Sequence, residues 1–558
     1  MLEKVKEIAF KYGVKNAFIH EGKADVGAVV GKVKAMIPDI DLKKAMPIIQ
    51  EAVKEINGMS KETLETEYKK FEEQGYELKP KDKQEGLPAI DWAEQKEKPM
   101  ITRFAPNPTA PFHLGNARAA IISHEYARKY NGKFILRFDD TDPKVKKSRA
   151  DAEEIFLRDL TWLGITVDET YFASDRLSTY YHYMRELIKL GKMYACTCET
   201  EKWKQLIDNK QGCPCRDLEP EKVEKLFEQM LSHELKEGQI VLRMKTDLLH
   251  NDPSIRDWWV AKIVDNPEHP RVGSTYKVWP SYNFASAIDD HELGITLIAR
   301  GQEHAQNGTK QKYLYDYLGW EYPAEIYFGR VKLQGVILSK SQMEKGIQEG
   351  LYTGHDDPRL GTIQAFRRRG FRPEALKDVI IFIGIKSSDT TLEWNFISSE
   401  NKKYIEKEAV LITFLEQPVN LHVDFSPEKT VELNEGMYDL KQGHQSFLVD
   451  RKEIEKYGVG KIVRLKQAYN VRIKSMDPFE VHSEYVADIK IKETIPWLLE
   501  ENAVDVQIVM PDNSRLVGSA ETRILEQKVG QIVHLERLGF GRLDSLEGNQ
   551  PIVWFTHK

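Results

Sequence analysis

No stretch of this sequence is apolar for long enough to cross a bilayer; "VIIFIGI" at 379–385 is only the size of a core element. The opening "MLEKVKEIAFKYG" lacks the apolar centre and cleavage site of a secretory leader and reads as an amphipathic helix. Both absences point to a cytoplasmic chain with no membrane partner. Cysteine is scarce: four in 558 residues, all between 196 and 215, so no disulfide framework is expected. Charge of one sign is not in large excess either. A net charge of −6 does not mark the whole molecule as a nucleic-acid ligand, although a local basic face would suffice. A phosphate-binding P-loop is missing too. In "GAVVGKVK" (27–34) the glycines stand too close and no Ser or Thr follows the lysine, so this segment reads as part of a helical bundle.

What is present, 41% hydrophobic and 30% charged, is the composition of a globular protein long enough for several domains. Residues 1–92 carry apolar side chains at helical spacing, as in "LKKAMPIIQEAVKEI" (42–56), and end in a charged, proline-containing linker at 77–92. From 99 the pattern becomes strand ("PMITRFA"), helix ("NARAAIISHEYARKYNG") and strand ("KFILRFDD"), the crossover unit of a parallel sheet. "LGITLIARGQEH" (293–304) and "EIYFGRVKLQG" (325–335) supply further strands. The expected architecture is an α/β Rossmann-type parallel-sheet domain in two halves, 93–190 and 286–345, interrupted by an insertion at 191–285. A helical region with a basic run follows at 346–410, and alternating short strands predict all-β barrels over 411–558.

Two loops carry the chemistry. "RFAPNPTAPFHLGNARAA" (103–120) is stiffened by three prolines and leads from the first strand into a helix, where free N–H groups attract phosphate. Gly115 permits close approach, and His113 and Asn116 are hydrogen-bonding groups suited to a polyphosphate. "VILSKSQM" (336–343) sets Lys340 between Ser339 and Ser341, a mobile cation suited to a departing pyrophosphate.

The pair "FHLGN" and "ILSKS" resembles the HIGH and KMSKS signatures of class I aminoacyl-tRNA synthetases. With "LRFDDTDP" (136–143), "YNFASAIDDHELGITLIARGQEH" (282–304) and "DDPRLGTIQAFRRRGF" (356–371), it is similar to the glutamyl/glutaminyl branch, and the N-terminal helical region resembles a domain appended to archaeal glutamyl enzymes and some glutaminyl ones. Asn116 replaces the last HIGH histidine, and only the final three letters of the second signature are kept. The resemblance implies ATP-dependent activation of L-glutamate, with Mg²⁺ accompanying ATP, and transfer to tRNA-Glu. Many archaeal relatives also charge tRNA-Gln. It implies ATP contacts from His113, Gly115, Asn116, Ser339, Lys340 and Ser341, and a glutamate pocket of Arg103, Ala105, Asn107, Asp139, Tyr282, Ser286 and Arg300. Arg300 would pair with a carboxylate, and its charge would be uncompensated against an amide; with Asp142 it favours glutamate over glutamine.

The same resemblance makes the insertion acceptor-binding, the helical region stem-contacting and the barrels anticodon-binding. Arg367, Arg368, Arg369 and Arg372 are candidate tRNA contacts. Cys196, Cys198, Cys213 and Cys215 form two C-x-C pairs that could close a structural Zn²⁺ site or stand as four reduced thiols. The N-terminal domain is open to tRNA, a protein partner or neither. Alternatives are a glutaminyl enzyme, a catalytically silent tRNA-binding module and a small-molecule nucleotidyl transferase.

Overall fold

Polar helices with one apolar stripe open the chain. Leu2–Ile19, Val26–Met36, Leu42–Asn57 and Lys61–Glu73 bury Val5, Val29, Val33, Ile49, Val53 and Leu64 in a common core. Asp25 and Asp41 cap the second and third by accepting from Ala28 and Lys43 N–H. "GAVVGKVK" lies inside the second helix, as expected of a bundle segment. This computed structural model describes residues 2–19, 22–37, 40–73, 86–109, 111–145, 147–487, 489–546, 548 and 550–558. Residues 1–85 form one compact unit and 86–558 another. Most of the expected linker, 77–85, lies outside the described residues. Its remainder belongs to the second unit: Leu87 is buried in the catalytic core and Ile90 N–H donates to Tyr130 Oη.

The second unit is built on a five-stranded, all-parallel sheet. Its strands are β1 (Ile101–Phe104), β2 (Lys133–Phe138), β3 (Glu169–Phe172), β8 (Leu297–Gly301) and β9 (Ala324–Phe328), in the order β3-β2-β1-β8-β9. Both faces are covered, which is why five of the six β2 residues are buried. Strands β4 (Met193–Cys196), β5 (Val241–Met244), β6 (Trp259–Ile263) and β7 (Val278–Pro280) form a separate antiparallel sheet inserted between β3 and β8. The segment 325–335 does not continue as a single strand. After β9 the chain breaks at Gly329, where a Cβ would lie 2.1 Å from the Ser388 carbonyl carbon, and Val331–Leu333 pairs instead with Thr390–Leu392.

Beyond 410 the chain is β-rich, with one seven-stranded sheet drawn from 418–498 and another from 410–415 and 503–557. The basic run joins the helical region to the second of these. Arg369 is 4% exposed and donates to the carbonyls of Phe555 and Thr556, so it cannot reach a tRNA backbone, and its assignment as a contact is withdrawn. Arg368 bridges Asp356 and Asp544, Arg372 pairs with Glu408, and Arg367 lies 3.9 Å from Asp159. These arginines bind the protein to itself.

Candidate active site

A cavity of about 1470 Å³ opens at the C-terminal ends of the parallel strands. Arg103, Ala105, Asn107 and Asp139 line one part of it, with Tyr282 and Arg300. His113, Gly115, Asn116 and Ser339 line another, and Lys340 and Ser341 follow directly in the first turn of helix Lys340–Gln348. Ser286 behaves differently from the expectation. It is fully buried and accepts from Arg137 Nη2 at 2.7 Å, so it positions an arginine instead of walling the cavity.

His113 is the N-cap of helix Leu114–Lys129. Its Nδ1 accepts from the N–H of Gly115 at 3.1 Å and of Asn116 at 3.4 Å, and Asn116 Oδ1 accepts from His113 N–H at 3.0 Å, closing a capping box. Because Nδ1 is an acceptor, the ring proton sits on Nε2, where it can be donated to a phosphate oxygen. Burial lowers the imidazole to about 4, which keeps it neutral in use. Gly115 serves the ring as much as any ligand: a Cβ there would stand 2.9 Å from His113 Cε1.

The two signature loops are spliced by a third segment. Leu114 N–H donates to Gly361 O and Gly361 N–H to Ile337 O, while Ile363 N–H donates to Phe112 O. Gly361 is packed so closely that a Cβ would lie 2.3 Å from Leu338 Cδ2. The block 356–371 therefore fixes the distance between the histidine loop and the lysine loop.

Behind the amino-acid end lies a buried ionic network. Arg103 grips Asp290 with Nε and Nη2 at 3.0 and 3.2 Å. Arg137, fully buried, donates to Asp139 Oδ1 at 3.0 Å and Asp290 Oδ1 at 2.7 Å. Asp289 accepts from Arg176 and Tyr180, each at 2.6 Å. Three arginines thus balance three aspartates, as buried charges require. One acceptor is left over: Asp139 Oδ2 is buried, has no hydrogen-bond partner among the described residues and belongs to a residue on the cavity wall. It fits an ammonium group.

Arg137, Asp289 and Asp290 were not among the expected site residues. A signal existed, because an arginine inside the otherwise apolar "FILRF" must find a buried partner, and "AIDDHE" offers adjacent acids.

Burial pushes the Asp139 carboxyl up to about 6, against the attraction of Arg137. Below that value the group is protonated, neutral and unable to pair with an ammonium; above it the carboxylate is available. The expected result is an affinity for an ammonium-bearing ligand that falls as pH drops through about 6 and is flat above it, read from binding titrations at a series of pH values. An Asp139→Asn protein should lose that inflection.

At the end of strand β4 the Sγ atoms of Cys196 and Cys213 stand 3.7 Å apart, as do those of Cys198 and Cys215, and all four lie within 4.8 Å of one another. A tetrahedral zinc with Zn–S of about 2.3 Å spaces its sulfurs by about 3.8 Å, so the cluster fits such an ion. The hydrogen bond between Cys196 and Cys213 lowers the first thiol and raises the second, as for two thiols that share a proton.

A parallel sheet with a polyphosphate-type loop, a lysine loop and a buried ionic pocket at its strand ends has the layout of a class I tRNA synthetase. The family model for class I tRNA synthetases (E and Q), catalytic domain, matches residues 99–407, and the chain belongs to that family. It is 44% identical to a glutamate–tRNA ligase of Thermococcus kodakarensis over 100% of both chains. It is 45% identical to that of Pyrococcus abyssi and 38% to that of Methanobrevibacter smithii, each over 99% of this chain and 100% of the relative.

Proposed function

We propose that this protein is a glutamate–tRNA ligase that activates L-glutamate with ATP and transfers it to the 3′ end of tRNA-Glu. The observation that carries the reading is the single cavity shared by His113, Asp139 and Arg300, which sets a phosphate donor, an ammonium acceptor and a carboxylate-binding cation around one space. The substrate α-carboxylate attacks the α-phosphorus of ATP, a glutamyl-adenylate forms and pyrophosphate leaves. A terminal tRNA hydroxyl then takes the acyl group and AMP departs. No protein nucleophile is required, and positioning and charge stabilisation supply the rate. In this reading His113 Nε2–H and Lys340 bind the triphosphate, Asp139 holds the ammonium and Arg300 the side-chain carboxylate. Mg²⁺ accompanies ATP and offsets its charge.

The test is amino-acid-dependent pyrophosphate exchange, with and without tRNA, followed by charging of purified tRNA-Glu and tRNA-Gln transcripts. Glutamate should support exchange with tRNA present and glutamine should not. Glutamine-driven exchange would establish the glutaminyl reading, which Arg300 and Asp142 disfavour. Glutamate transfer to tRNA-Gln would extend the function to the second acceptor. The N-terminal helical unit is a candidate surface for a protein partner.

The four cysteines would hold one structural Zn²⁺, closing the inserted sheet with no open coordination position. Metal analysis should find one zinc per chain, and Cys213→Ser should abolish it and lower the melting temperature. Full metal content and unchanged melting in that variant would leave four plain thiols.

A further inference from the structure

Arg300 does not stand alone at the end of the cavity. Its Nη2 donates to Glu325 Oε1 and, at 3.0 Å, to Tyr322 Oη, while Nη1 donates to Gln311 Oε1 at 3.0 Å. Glu325, 9% exposed, also accepts from Tyr327 Oη at 2.6 Å and Tyr322 Oη at 3.1 Å. Its other oxygen lies 3.0 Å from Lys312 Nζ. Burial would raise the Glu325 carboxyl, but Tyr327 and the Arg300 charge overcome this and hold it below the usual range. It is a carboxylate.

The sum of these charges matters more than any one of them. Arg300 and Glu325 together are neutral, and an acidic substrate approaching Arg300 also meets the Glu325 anion behind it. An acid is preferred over an amide only if the pocket end keeps a net positive charge. Lys312 supplies it. Of the three, only Arg300 lines the cavity. Arg300 Nε is buried without a hydrogen-bond partner among the described residues.

The fold is shaped around this arrangement. Gly308, Gln311 and Lys312 share one face of helix Ala305–Leu318, three and four residues apart. A Cβ at Gly308 would stand 2.7 Å from both Arg300 Nη2 and Glu325 Oε1 and 2.5 Å from Tyr327 Oη. Only a glycine lets the helix approach closely enough for Lys312 to reach Glu325.

We infer that Lys312 is a specificity-determining residue: through the Arg300–Glu325–Lys312 triad it gives the amino-acid pocket the net positive charge that selects glutamate over glutamine. This rests on the functional reading above.

The experiment is glutamate-dependent pyrophosphate exchange by the full chain with tRNA bound. The Lys312 side chain is 53% exposed and its charge partly screened, so Lys312→Met should raise the glutamate KM about three- to fivefold and leave kcat within about twofold, with any weak exchange on glutamine unmoved. Lys312→Arg should keep the original KM. The double variant Lys312→Met/Glu325→Gln should bring KM back towards the original value, because Arg300 is then the one uncompensated charge. A merely structural lysine would not be rescued by removing its partner's charge. An unchanged KM in Lys312→Met, or a double variant weaker than the single one, overturns the inference. No glutamate-dependent exchange by the unaltered protein, with tRNA present, would instead remove the functional reading itself.

Discussion

Replacing Arg300 with glutamine should lower kcat/KM for glutamate by about 10²–10³-fold, mostly through KM. The guanidinium is 5% exposed on the cavity wall, and its Nε–H has no hydrogen-bond partner among the described residues. In Arg300→Gln the amide can still donate towards Glu325, and Lys312 and the two tyrosines continue to hold that carboxylate, so the fold should survive. What disappears is the charge. The remaining Lys312–Glu325 pair is neutral, and a glutamate carboxylate must then be desolvated against a neutral amide. A loss of that size corresponds to about 3–4 kcal/mol, within the range for truncating one partner of a buried charged pair. The measurement is pyrophosphate exchange over a glutamate titration with tRNA bound. Exchange kinetics equal to the unaltered protein would remove Arg300 from the pocket.

Lys340→Ala should act on the other parameter. The lysine opens helix Lys340–Gln348, immediately after cavity-lining Ser339, at the helix end that favours an anion. Charge develops on the departing pyrophosphate only as the α-phosphorus bond breaks, so a lysine contact to it, as proposed above, would stabilise the transition state more than the bound substrates. The expected loss is about 10²–10³-fold in kcat for exchange, with the glutamate KM within about twofold. The backbone contacts through Gly361 do not involve the lysine side chain, so the loop should stay in place. A proportional change in glutamate KM with kcat preserved would assign the residue to amino-acid binding.

Much of this site was readable from the chain. The proline loop, His113 and the helix after it are local, and the capping box that sets the imidazole tautomer spans only His113 to Asn116. The two C-x-C pairs flank a short helix, Thr200–Asp208, that returns one pair to the other. Other readings needed the fold. The run at 366–372 looks like a nucleic-acid contact because a string of arginines is equally basic whether solvated or buried; Arg369 is turned inward onto Phe555 and Thr556, far along the chain. Ser286 sits on the expected helix yet faces Arg137 behind the cavity wall. The split at Gly329 depends on the approach of Ser388, which no local pattern announces.

The sequence by itself determined the parallel-sheet core, the helical regions, the β-rich C-terminal part and the local structure around His113, because these follow from apolar periodicity, proline and glycine positions and short-range caps. Tertiary structure alone decided the charge state of the pocket. Arg103 meets Asp290, Arg137 meets Asp139, and Arg300 meets Glu325 and, through it, Lys312, across strands and helices distant in sequence. A buried charge is defined by its nearest neighbours in space, and the low dielectric of the interior makes each of those neighbours count.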